Sequence, residues 1–203
     1  MKLIRLKKAA MFGLDARIAL AIFGALSVIS GAALYSAIQK AKVTALIVDL
    51  NELTKAYDSY YLDTGEELTV VNSSTFLEIE KLVSSTVSGW NGPYLPYSAN
   101  GSYSLTYPPV AGKLYIIEAL DGTWTANTSS ASWNAWGDTV KCDGGTVTGS
   151  CFVWSGVRNI TEDMFNAIDL EIDGTVNAQA GNARYVKVST GAIHLFIKDR
   201  AKQ

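Results

Sequence analysis

The sequence is poor in the residues on which most chemistry at neutral pH depends. Its 203 residues include one histidine, His194, and two cysteines, Cys142 and Cys151. A lone histidine limits acid–base options, and no nucleophile elbow, phosphate loop or histidine-based triad is present, so no enzyme is expected. A structural zinc site wants four ligands, which this inventory serves badly. There is no basic excess to suggest nucleic acid. The formal net charge of −2 becomes −6 once Lys2, Arg5, Lys7 and Lys8 in the first ten residues are set aside. Charge of either sign is missing from residues 18–38, and neither Pro nor Gly occurs from Gln39 until Gly65. These two gaps organise the chain.

The uncharged stretch of 21 residues rises about 1.5 Å per residue as a helix and reaches about 30 Å, enough to cross a bilayer core. The basic run before it predicts a cytoplasmic N-terminus and an exported body. Three readings are open: a cleavable secretion signal with a small-residue cut at "SGAA" (30–33), a permanent anchor, or a segment that serves as both in turn. The residues after the stretch bear on the choice. Val43, Leu46, Ile47, Leu50, Leu53, Tyr57, Tyr60 and Tyr61 recur mostly at three- and four-residue steps, which is helical spacing. The apolar span therefore continues into an amphipathic helix that ends near residues 62–65. A helix over 14–62 would be about 70 Å long.

"KKAAMFGLDARIALAIFG" combines a basic leader, a small residue and a hydrophobic helix with one acidic residue near its start. It resembles the type IV pilins and the pseudopilins of type II secretion. "GWNGPYLP" (89–96) is similar to the segment after the second helix of major pseudopilins. "DGT…AGNARY" (173–185) resembles the Asp-Gly loop before their last strands. The resemblance implies a pilin-like α+β fold and a prepilin peptidase that cuts between Ala10 and Met11, Gly13 being the competing site, and often methylates the new amine. It further implies an inner-membrane assembly platform and a homo-oligomeric or mixed filament of pilin-like subunits. Storage is then in the bacterial inner membrane, single-pass, with a periplasmic C-terminal domain. Asp15 becomes the fifth mature residue and meets the Met11 amine of a neighbour. The alternative for Asp15 is local pairing with Arg17 or the leader lysines.

The organisation expected is thus a leader over 1–10, a long helix over 11–62 and an exported α+β body over 63–203. In the body, residues 73–85 read as a short helix, and 160–173 as another with Thr161 as its cap. Residues 102–107, 113–120, 151–157, 183–189 and 192–198 read as strands, the last two joined at Thr190-Gly191. His194 falls in that hairpin as a strand residue. Tyr94 and Leu95 are expected to pack on the long helix. Cys142 and Cys151 flank a glycine-rich turn and are expected to form a disulfide outside the cytoplasm, the alternative being two buried thiols. Asp169, Glu171 and Asp173 partly match a calcium loop, though Ala180 stands where its closing Glu belongs. Major pseudopilins often bind calcium in a C-terminal loop, whose ligands do not map onto this chain, so no cofactor is expected, with calcium a weak alternative. Trp124, Trp133 and Trp136 either pack under a long loop or recognise a glycan or protein. In the second case the chain would be a membrane-anchored binding module.

Overall fold

The computed structural model describes residues 6–71, 75–125, 133–188 and 191–202, with side chains from Gly13 in its first helix and from Trp136 in its second. The chain divides into two compact units, Met1–Lys42 and Val43–Gln203. One helix, α1 (Leu6–Thr64), supplies all the described residues of the first unit and opens the second. The division falls inside that helix, so its amphipathic half belongs with the body. The helix stops because Gly65, at φ +69°, takes the left-handed cap conformation, with its N–H donating to the Tyr61 carbonyl at 2.8 Å.

In the second unit Val43, Leu46, Leu50, Leu53, Ala56, Tyr57 and Tyr60 of α1 are buried. They form the stripe that the three- and four-residue steps predict, except that Ile47 is only partly buried and Tyr61 is exposed. They pack on a five-stranded antiparallel sheet of order β1-β2-β3-β5-β4. Its strands are β1 (Leu105–Tyr107), β2 (Gly112–Leu120), β3 (Cys151–Ile160), β4 (Ala183–Lys187) and β5 (Ile193–Ala201). Leu114 and Ile116 of β2, Val153 and Val157 of β3, and Leu195 and Ile197 of β5 face this core. Helix α3 (Glu162–Asp173) adds Phe165 and Ile168. Thr161 caps it, its hydroxyl accepting from the Met164 N–H at 3.2 Å.

All five predicted strands are present, with shifted ends. The first begins at Leu105, the third runs on to Ile160, and the last covers Ile193–Ala201. Ser189 and Thr190 of the predicted hairpin turn lie outside the described residues. Residues 73 and 74 of the helix expected over 73–85 lie outside the described residues, and over the rest it shrinks to one 3-10 turn, Ile79–Leu82. The edge of β2 is the reason. Leu77 donates to the Ile116 carbonyl at 3.0 Å, and Glu118 donates to that of Thr75 at 2.9 Å, so the segment serves as a short strand along the edge that β1 leaves open. A buried strand edge must find partners for its N–H and C=O groups, and this outweighs the helical spacing of Phe76, Ile79 and Leu82.

The "GWNGPYLP" segment closes the end of α1 as expected. The Tyr94 hydroxyl donates to Asp63 at 2.8 Å, the Trp90 indole N–H donates to the Lys81 carbonyl at 2.8 Å, and Leu95 is buried. A Cβ at Gly89 would lie 2.4 Å from the Asp63 carbonyl oxygen, so only glycine lets the chain pass this close to the helix terminus.

The opposite face of the sheet is also covered. Tyr115, Ile117 and Ala119 of β2, Trp154 of β3, Val186 of β4 and Phe196 of β5 form a second core. Over them lie Phe76, Trp124 and a helix that the sequence pattern did not predict, α2 (Trp133–Val140), through Trp136 and Val140. A disulfide joins Cys142 to Cys151 with the Cα atoms 5.4 Å apart. It ties the turn after α2 to the start of β3.

Candidate functional site

The apolar half of α1 is the first candidate. Within the helix Gly13–Thr64, the most apolar stretch is long enough to span a membrane and none of it is buried. Leu14, Leu20, Ile22, Phe23, Val28 and Tyr35 are all more than half exposed. These positions point around the whole circumference, and a helix apolar all round needs lipid or other helices about it. Its polar side chains are few. The Ser27 hydroxyl is satisfied within the helix, donating to the Phe23 carbonyl at 2.8 Å. Asp15 and Arg17 are exposed. Ala10 and Met11 lie in helical backbone, and their side chains lie outside those described.

The tryptophans serve another purpose. Trp124 and Trp136 are 1% and 3% exposed, so neither ring is available to a partner; packing uses them both. Trp133 begins α2, and its side chain lies outside those described. Trp124 meets Trp154 at 4.5 Å and Trp136 at 5.3 Å between ring centroids. Its indole N–H donates to the Leu120 carbonyl at 2.7 Å, as that of Trp154 does to Ala119 at 3.1 Å. Buried indoles that satisfy their donors are core residues. The Arg184 guanidinium lies against the same pair of rings, 4.9 Å from the Trp124 centroid and 4.7 Å from that of Trp154.

The acidic stretch at the end of α3 is committed to the loop beyond it. Asp173 accepts from the Asn182 and Ala183 N–H groups at 2.7 and 2.8 Å, and Asp169 accepts from that of Asn177 at 2.6 Å. These oxygens hold the chain between α3 and β4. Among the described residues, no three His, Cys, Asp or Glu side chains group as a metal site. Burial pushes the Asp169 carboxyl up to about 6, with Asp173 adding to the rise against the pull of the Asn177 N–H.

One cleft has no counterpart in the sequence motifs. Tyr57, Asp58, Glu67, Glu118, Arg200 and Lys202 line it, drawn from α1, the loop after it, β2, and β5 with the residue that follows it. Arg200 bonds Asp58 and lies 5.0 Å from the Tyr57 ring centroid. Lys202 bonds the buried Glu118. Burial, with Glu67 and Glu118 nearby, pushes the Tyr57 hydroxyl up to about 12. Arg200 thus clamps β5 to α1, and Lys202 ties the chain just beyond β5 to β2.

His194 is wholly buried in the second core, its ring 5.9 Å from that of Tyr115. Burial, with Arg158 across the strand pair, pushes its imidazole down to about 2. The folded protein then refuses a proton that the unfolded chain accepts near pH 6.5. Stability due to this group is full above pH 6.5 and falls by about 1.4 kcal/mol per pH unit below it. Asp169 acts in the opposite sense, because the folded state takes its proton first as pH falls from about 6 towards 3.8. Comparing the wild type with His194→Gln isolates the histidine. The stability difference between the two should change by about 2 kcal/mol between pH 6.5 and 5, measured by urea unfolding at each pH. Parallel profiles would overturn the assignment.

No protein-family model, curated protein or solved structure matches this chain, so its function is argued from its own residues.

Proposed function

We propose that the chain is a structural subunit of a type II secretion pseudopilus or a related type IV pilus-like filament, processed between Ala10 and Met11 and held in a membrane until assembly. One observation carries the reading. A single helix, Leu6–Thr64, is apolar and unburied in its first half and contributes seven buried residues to the body's core after Lys42. A conventional secretion signal is dispensable once cut, whereas this one shares its helix with the folded body. A plain anchor needs no such sharing, since a flexible linker would serve it. The rival reading, an anchored module with a tryptophan recognition surface, would rest on Trp133 alone, since Trp124 and Trp136 are buried.

In this reading the exposed apolar half gains little by leaving lipid for a bundle of like helices, because lipid is itself apolar. Packing between copies and the placement of the few charges must therefore direct assembly. The N-terminal mass of the mature chain tests the proposal. A start at Met11, with or without one added methyl group, is expected. A chain beginning at Met1 would favour the anchor, and one beginning near Ala33 would favour secretion.

A further inference from the structure

The first unit carries an asymmetry that the proposed function does not by itself require. Asp15 and Arg17 are the only charged residues from Gly13 to Ile38. Two positions along a helix turn by about 200° and rise by about 3 Å, so the two side chains leave nearly opposite faces at nearly one level. They do not face each other in one chain. The positions three and four residues away from each, where helix side chains do meet, hold Met11, Phe12, Ile18 and Ala19 for Asp15. For Arg17 they hold Gly13, Leu14, Leu20 and Ala21. Both charges are exposed, and in an apolar surrounding each needs a counter-charge from elsewhere.

The rows that continue from these charges are complementary in shape as well. Heptad steps from Arg17 lead to Gly24 and Gly31, while the same steps from Asp15 lead to Ile22 and Ile29. A glycine inside a helix is less favourable than an alanine. Among the described residues, nothing beyond the adjoining helix backbone lies within 4 Å of where a Cβ on Gly24 or Gly31 would sit, so no such contact accounts for them. Ile22 and Ile29 are more than half exposed. Small residues let a second helix approach closely, and branched ones fill such a groove.

We infer that a second copy of this chain docks in parallel through these rows, with Asp15, Ile22 and Ile29 of one copy set against Arg17, Gly24 and Gly31 of the next. The inference rests on the filament reading and adds to it the contact and its direction. The two rows lie on opposite faces, so the contact is heterologous and propagates. A parallel two-fold dimer would instead bring acid to acid or base to base. Heterologous contacts that do not close on themselves give helical filaments. Arg17 thereby gains a role that needs no free N-terminal amine.

The test uses the full chain in the cells that make it, with a photo-crosslinking residue at Ile22 and the amount of each variant in the membrane fraction as a control. Wild type should give a ladder of cross-linked copies whose joined peptides contain Gly24. Asp15→Lys alone and Arg17→Glu alone should each lower the ladder at least tenfold, and co-expression of the two should restore it to within about twofold of wild type. Gly24→Leu changes no charge, inserts as wild type does, and should lower the ladder to the same degree. A wild-type ladder that the charge variants leave intact, or that co-expression fails to restore, or whose cross-links join Ile22 to Ile22, overturns the docking and leaves the filament. A wild type that never cross-links to itself overturns both.

Discussion

Replacing Arg184 with alanine should cost the body about 3–5 kcal/mol, because three carbonyls lose one charged donor together, and replacing it with lysine should recover little. Arg184 is 3% exposed, and its guanidinium donates to three carbonyls: Gly122 at 2.6 Å, Asp121 at 2.8 Å and Gly181 at 3.0 Å. Burial pulls its pKa down, opposed by Asp121 and Asp173, so its desolvation is a real cost set against those three bonds and two aromatic faces. Truncation removes the donors and leaves the carbonyls, and an unsatisfied buried acceptor costs about 1–3 kcal/mol. Lysine carries its charge at one point and cannot reproduce the planar fork that reaches three acceptors beside two indoles. Thermal unfolding of the three proteins checks this. A lysine variant within about 1 kcal/mol of wild type would mean that charge alone matters there and that the fork geometry does not.

Arg184 also marks where the sequence stops being readable. In "ARYVKV" an alternating strand presents arginine as an outward residue, as it would be if one face of the sheet met water. Its acceptors sit in loops, two of them about sixty positions earlier in the chain, and no spacing announces them. There was nevertheless a signal that both faces are covered. "KLYIIEAL" is apolar at almost every position instead of at alternate ones, and six of the nine residues of β2 in an unbroken run are buried. The helix that covers the second face was legible as well, since Trp133, Trp136 and Val140 follow steps of three and four. The surrounding Ser, Thr, Asn and Gly made the stretch look like a loop. The opposite error, the helix expected over 73–85, shows how a short apolar period yields to a neighbouring strand edge. α1, the five strands and the cap of α3 were readable because each is a local pattern with its own start and stop. The clamp of Arg200 and Lys202 on Asp58 and Glu118 joins residues 142 and 84 positions apart, and only the assembled fold brings them together.

Leu53→Ala and Leu26→Ala delete the same atoms from the same helix, yet their effects on the body should differ by several kcal/mol. Leu53 has no exposed surface and belongs to the core shared with the sheet. Removing a buried leucine side chain costs about 2–5 kcal/mol, the lost transfer energy plus that of the cavity left behind. Near α1 the sheet residues are held from both sides by strand pairing, so the cavity collapses poorly and the upper half of that range is expected. Leu26 is 58% exposed in the other compact unit, where no core depends on it, and its loss should leave the body's unfolding within about 0.5 kcal/mol of wild type. Urea unfolding in detergent, monitored by the fluorescence of the buried tryptophans, reports on the body alone. A smaller and equal loss in both variants would mean that the second half of the helix is merely attached to the sheet and not part of its core. The body would then be stable without α1, and the reason for reading the apolar half as something other than a dispensable signal would be gone.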